Sequence, residues 1–248
     1  MQLPVRMEKL TVGEMPALVI APEAAGTYPI VIGLHGLGGN KETMIPLLQP
    51  LAAIGYIVAL PDARFHGERF DPAWAQSAQE NEIVAVVRAV AETAAEMPAL
   101  VDALLARLDT RPATDGGVGI CGVSFGALTL YDTLLREPRF TTAVSLIGGG
   151  IFPRDPAAEA AMTPDARAAR EARNVRQNLP AFTHVAFLLL AGAEDTRLPT
   201  ATTQALYDAL VPQMDSARLR LVIEPGIGHE VTHNMGVETV GWFRRFLT

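Results

Sequence analysis

The chain predicts an α/β fold, a mostly parallel eight-stranded sheet with helices on both faces. Three observations carry this. Short β-rich runs alternate with longer amphipathic runs along the 248 residues. The middle runs are almost continuously apolar, as strands covered on both faces must be. Apolar residues make up 49% of the chain and charged residues 19%, enough for a substantial core and too little charge for disorder.

The elements follow in order. Val5–Val12 and Ala17–Ala21 are strands joined by few residues, so they should pair antiparallel at an edge. Ile30–Leu34 and Tyr56–Leu60 are buried strands; the helix between them is made irregular by Pro50 and closed by Gly55. Ser77 and Glu80 have capping-box spacing ahead of Ile83, Val87, Val90 and Ala94, which form one helical face. Pro98 should kink or restart that helix, after which Leu100, Leu104 and Leu108 continue the stripe. Strand Gly117–Val123 leads into a helix from Phe125 to Arg136, stopped before Pro138, and Thr142–Ile147 is the next strand. Val185–Ala191, a helix over Thr200–Val211, strand Arg218–Ile223 and a helix from Val231 to Leu247 complete the chain. Between them Gly148–Pro180 is rich in Ala, Arg and acidic residues with a weak apolar face. It leaves the carboxyl end of a strand, where such sheets carry their sites, and is expected to be a small lid. The whole is expected to be a single domain, residues 1–248, with 148–180 as the lid insertion.

Charge narrows the partners. The 20 basic and 27 acidic residues give 20 − 27 = −7, which argues against nucleic acid, and no basic cluster suggests a membrane surface. Cys121 is the only cysteine, so no internal disulfide can form and a reducing compartment is expected. MQLPVRMEKL has no signal-like apolar core, and the longest apolar stretch, Val185–Ala193, is too short to span a bilayer. A soluble cytoplasmic protein, monomeric or homodimeric, is the expectation.

Gly122-Val123-Ser124-Phe125-Gly126 is a G-x-S-x-G turn between a strand and a helix. Its sharp bend lifts the serine hydroxyl clear of the sheet and leaves no room for side chains two residues to either side. The helix starting at Phe125 adds free N–H groups and a positive dipole end. A serine hydroxyl is a weak nucleophile until a base takes its proton. His229, after the last strand, is the expected base, and Asp195, after the preceding strand, is expected to orient it. All three sit in loops at carboxyl ends of strands, so they can converge. His35-Gly36-Leu37-Gly38-Gly39 follows Ile30–Leu34, and the N–H groups of Leu37 and Phe125 are expected to bind an oxyanion. His35 is expected to organise that loop.

The set HGLGG, PDARFHGER, GVSFG, GAEDTRLP and GIGH, in this order and spacing, resembles the α/β-hydrolase superfamily. PDARFHGER (Pro61–Arg69) is similar to a signature of small bacterial esterases related to dienelactone hydrolases and to prolyl-oligopeptidase catalytic domains. The resemblance implies an α/β-hydrolase fold and Ser124, Asp195 and His229 as a triad cleaving short-chain acyl esters of small-molecule substrates, with no cofactor; no metal is expected either, for want of a third ligand beside His229 and His233. It also implies that Asp62, Arg64 and His66 steady the loop beneath the site, alongside His35, Gly36, Gly122 and Gly126. A peptidase, or a lactone or thioester hydrolase, would use the same triad. A ligand-binding protein on a hydrolase scaffold is the non-enzymatic alternative, although such proteins usually lose a member of the set.

Two other patterns compete. His229-Glu-Val-Thr-His233 matches the H-E-x-x-H zinc motif, which needs both histidines on one helical face and a third ligand. Thr239 stands where the extended motif has its last histidine, and Pro225 with two glycines favours a loop at His229. Gly117-Val-Gly119-Ile-Cys-Gly122 matches G-x-G-x-x-G, but apolar alternation runs through its glycines and places them inside a strand. In that strand Cys121 is expected to be a small core residue.

Overall fold

The computed structural model describes residues 2–107, 109–111, 117–149, 162–164, 167–168, 171 and 174–248. Eight strands form one sheet in the order β1-β2-β4-β3-β5-β6-β7-β8. β1 (Val5–Val12) and β2 (Met15–Pro22) pair antiparallel, and β2 runs antiparallel to β4 (Ile57–Pro61). β4 is parallel to β3 (Ile30–Leu34), and β3, β5 (Val118–Val123), β6 (Phe140–Leu146), β7 (Ala186–Gly192) and β8 (Leu219–Glu224) are parallel to their neighbours. All eight expected strands are present, with ends shifted by at most two residues. β3 and β4 are buried at every position, whereas edge strand β1 alternates between half-buried and exposed.

One face of the sheet carries α2 (Pro72–Glu80), α3 (Glu82–Leu105), α4 (Phe125–Leu134) and α5 (Thr200–Leu210), which share a core with Ile32, Ile120 and Phe187. The other face carries α1 (Ile45–Ala52) and α6 (His233–Phe246), packed on Val31, Val58, Cys121, Val144 and Leu188. Burying each such Leu, Ile or Phe side chain stabilises the fold by about 1.5–3 kcal/mol. α6 is also tied to the sheet by polar bonds. The Trp242 indole N–H donates to the Ala186 carbonyl at 3.0 Å, and the Thr142 and Tyr56 hydroxyls donate to the carbonyls of Phe246 and Phe243 at 3.2 and 3.3 Å.

Two helical expectations are corrected. Ser77 caps no helix: it lies inside α2, and its hydroxyl donates to the Trp74 carbonyl at 2.8 Å, the backward bond that a mid-helix serine makes. α2 starts earlier, capped by the Asp71 carboxylate, and α3 is capped by the Asn81 side chain, which accepts from the Val84 N–H at 3.2 Å. α3 then runs through Pro98 without a restart. Ala94, Met97 and Val101 around the proline are fully buried, and that packing outweighs the missing backbone bond.

Within the expected lid, residues 150–161, 165–166, 169–170 and 172–173 lie outside the described residues. Val175, near its end, and Phe182, just beyond it, are buried against the α3–α5 face. Among the described residues no helix is long and apolar enough to cross a membrane.

Candidate active site

β3 and β5 are neighbours although a strand and three α-helices separate them in sequence, and the chain continues away from them on both sides. In a parallel sheet this point opens a crevice at the carboxyl ends of the strands. Ser124 stands there, directly after β5, with φ 52° and ψ −112°. Positive φ is costly for a residue with a side chain, and here it points the hydroxyl out of the turn. The two glycines of the motif are required by close approach. A Cβ at Gly122 would lie 2.3 Å from the Gly126 carbonyl oxygen, and one at Gly126 would lie 2.1 Å from that of Leu34.

The Ser124 hydroxyl and His229 Nε2 are 2.8 Å apart, and His229 Nδ1 is 2.8 Å from Asp195 Oδ2. A carboxylate can only accept, so Nδ1 carries the imidazole proton and Nε2 is left to accept from the serine. Asp195 is buried, and its other oxygen accepts from the N–H groups of Arg197 and Leu198 at 2.9 Å each. These two bonds fix the carboxylate's rotation. The loops carrying Asp195 and His229 are tied to each other by Glu194 N–H donating to the Ile227 carbonyl at 2.8 Å.

The expected oxyanion loop, His35–Gly39, is a turn closed by Gly39 N–H donating to the Gly36 carbonyl at 3.0 Å. Gly38, at φ 73°, takes the turn position that favours glycine, with Leu37 before it. The loop lies against the elbow: a Cβ on Gly36 would sit 3.9 Å from that of Ser124. Phe125 begins α4, so its N–H has no acceptor within the helix. The Gly36 end of the loop and Phe125 thus both adjoin Ser124.

A buried clamp holds this loop to Pro61–Arg69. His35 Nδ1–H donates to the Gly36 carbonyl at 2.8 Å, while Nε2 accepts from the Ala63 N–H at 3.1 Å. Burial, together with the nearby His66 and Lys41, keeps His35 below its ordinary pKa, despite opposing contributions from Gly36 and Asp62. Burial does the same to His66, whose ring stacks on Phe125 at 5.0 Å. His66 Nε2 has no hydrogen-bond partner among the described residues. Asp62, fully buried, accepts from the Lys41 N–H at 2.8 Å, the Lys41 ammonium at 2.7 Å and the Glu68 N–H at 3.0 Å. Burial opposes both charges, but the pairing wins: Lys41 is held above its ordinary pKa and Asp62 below its own. Arg64 lies further out, bonded to Glu14 and Glu92.

Sequence reasoning missed Lys41. Nothing in Asn40-Lys41-Glu42 distinguishes it from a surface lysine, yet it is 2% exposed. Its only sequence signal is position, two residues beyond the glycines of the oxyanion loop.

The rival patterns dissolve in the structure. His233 is the first residue of α6, behind the Thr232 cap, while His229 lies in the preceding loop, so the helical pairing of H-E-x-x-H is not formed. Both ring nitrogens of His229 are already engaged. Gly119 and Gly122 lie within β5, and burial pushes the Cys121 thiol up, away from thiolate chemistry.

Known proteins agree with this architecture. The chain is 23% identical over 262 residues, covering 98% of it and all of the relative, to the Bacillus subtilis (strain 168) protein named "Putative esterase YitV". It is similar to the crystal structure of TT1662 from Thermus thermophilus, with a TM-score of 0.85 and 26% identity over 98% of both chains. The esterase Pf2001 of Pyrococcus furiosus shares the fold, with a TM-score of 0.69 and 16% identity over 99% of this chain and 94% of that one. The model of the dienelactone hydrolase family matches residues 15–233, from β2 to the start of α6 and so across the elbow, the clamp and all three convergent loops. The chain belongs to the dienelactone hydrolase family.

Proposed function

We propose that this member of a hydrolase family is a serine hydrolase that cleaves short-chain carboxylic esters through Ser124, His229 and Asp195. The observation that carries the reading is the unbroken series of 2.8 Å contacts from the Ser124 hydroxyl through the His229 ring to the Asp195 carboxylate. Ser124 Oγ attacks the ester carbonyl carbon while its proton passes to His229 Nε2. The carbonyl oxygen becomes an oxyanion that accepts from the N–H groups of Leu37 and Phe125. As the intermediate collapses, the C–O bond breaks and His229 returns the proton to the departing alkoxide, leaving an acyl-serine and a free alcohol. Water, deprotonated by His229, attacks the acyl-serine in the same way and releases the acid. Asp195 holds the ring in the working tautomer and stabilises the imidazolium.

Labelling by a fluorophosphonate, measured beside hydrolysis of p-nitrophenyl acetate, tests this. The wild type and Cys121→Ser should label and turn over, and Ser124→Ala should do neither. Activity surviving in Ser124→Ala would remove the serine from the chemistry, and failure of the wild type to label would remove the reading altogether.

A further inference from the structure

A cavity of about 900 Å³ lies between α1, α6 and the oxyanion loop. Gly36, Leu37 and Val123, the last directly before Ser124, line it together with His233 at the start of α6. Arg244, in the last turn of α6, lines it too. His233 and Arg244 are eleven residues apart on one helix, so the trough runs about 16 Å from the catalytic loops. Its walls are mostly apolar, with Leu47 and Pro50 on α1 facing Val237 and Val240 on α6, and among the described residues no carboxylate lines it.

The trough is kept open by residues that helices disfavour. Gly236 and Gly241 lie inside α6 on the lining face, and Pro50 lies inside α1. Packing does not require these glycines. A Cβ at Gly236 would make an ordinary 3.6 Å contact with Leu47 Cδ1, and one at Gly241 would meet nothing within 4 Å. Neither is at positive φ. Their missing side chains leave space that, among the described residues, only Leu47 borders closely.

We propose that this trough holds the unbranched alkyl chain of a medium-chain ester, with the ester group at the Ser124 end. This rests on the serine-esterase reading and extends its substrate beyond short chains. The apolar walls suit methylenes and offer few partners to a sugar or nucleotide. The absence of carboxylates among the described lining residues, with Arg244 at the far end, disfavours a chain that ends in a cation.

The test compares Gly236→Leu and Gly241→Leu, each adding a branched side chain in the trough, with the wild type. The substrates are p-nitrophenyl acetate, butyrate, octanoate and decanoate, and acetates of matching alkyl alcohols. Each methylene kept out of the trough is worth about fourfold in kcat/KM. The decanoate-to-acetate ratio, or the decyl-to-ethyl ratio among the acetates, should therefore drop at least about tenfold. The series that responds identifies whether the chain belongs to the acid or the alcohol. Unchanged ratios in both series, or equal losses on every ester, would overturn the assignment. If neither variant folds, inhibition of wild-type acetate hydrolysis by linear 1-alkanols decides. Tightening of about fourfold per carbon up to decanol supports the trough, and a flat series refutes it. A wild type that labels with the fluorophosphonate while its ratios stay fixed loses only the trough. A wild type that does not label loses both readings.

Discussion

Replacing Ser124 by glycine should give a more stable protein than replacing it by alanine. The backbone there, φ 52° and ψ −112°, is that of the first central residue of a type II′ turn, which glycine adopts freely and other residues resist. Strain of this kind is on the order of 1–3 kcal/mol. Both substitutions remove the hydroxyl and its bond to His229, so the difference between them isolates the Cβ. Against the relief stands the greater freedom that glycine gives the unfolded chain, about 0.4–1 kcal/mol. The glycine variant should therefore exceed the alanine variant by about 1 kcal/mol. Since a hydroxyl hydrogen bond contributes about 0.5–1.5 kcal/mol net, it should also lie close to the wild type. Urea unfolding followed by the fluorescence of Trp74 and Trp242, both buried, gives the three free energies if the m-values agree. An alanine variant as stable as the glycine variant, or more so, would mean that the elbow stores no strain.

Three further outcomes are expected. Asp195→Asn should lower kcat on p-nitrophenyl acetate by about 10⁴ with little change in KM, because the ring loses its orienting acceptor; a fall below tenfold would move that role elsewhere. Lys41→Met should cost about 3–5 kcal/mol in urea unfolding, since it strands the Asp62 carboxylate in the interior, and Lys41→Met/Asp62→Leu should recover much of it. A single-variant loss under about 1 kcal/mol would place the pair among ordinary surface ion pairs. Stability should also fall on acidification in two windows. His35 and His66 have lowered folded pKa values, so below about 6.5 the unfolded chain binds protons that the native chain resists, and stability is lost as pH falls toward the folded values. Asp62, also lowered, adds a second loss below about 3.9. A Tm unchanged between pH 7.5 and 5 would contradict the histidine contribution.

The strands were legible because burial on two faces leaves a mark that few other structures share: runs such as Phe187–Leu190 tolerate no polar residue. The loops carrying Ser124 and Asp195 were legible for a related reason, since each begins where such a run stops, while that of His229 follows the half-buried β8. The helices were harder to read. Ser77 and Glu80 fit a capping pattern, but Asn81, one residue from Glu80, is the stronger local stop and start, and spacing alone cannot rank them. Pro98 reads as a break because proline removes a hydrogen bond locally, whereas its tolerance comes from packing contributed by distant residues. Lys41 was invisible for the same reason. Its burial depends on Asp62 and Glu68, more than twenty residues away, and a long cationic side chain announces solvent in any sequence window.

The stitching of α6 bears on how the protein is made. From β5 outward the sheet order follows the chain order, so a polypeptide emerging amino end first can add β6, β7 and β8 to a growing edge. α6 does not follow that sequence of events. Its Trp242 and Phe243 cover the flank of β5 and β7 long after those strands have left the ribosome, and a Cβ at Gly119 beneath them would lie 2.7 Å from the Phe243 ring. Until that helix arrives, the part of the flank over β5 and β7 is wet and adhesive, and until residue 229 arrives the Ser124 hydroxyl lacks its imidazole partner. The closing of the core and the pairing of Ser124 with His229 therefore fall within the same few moments of synthesis.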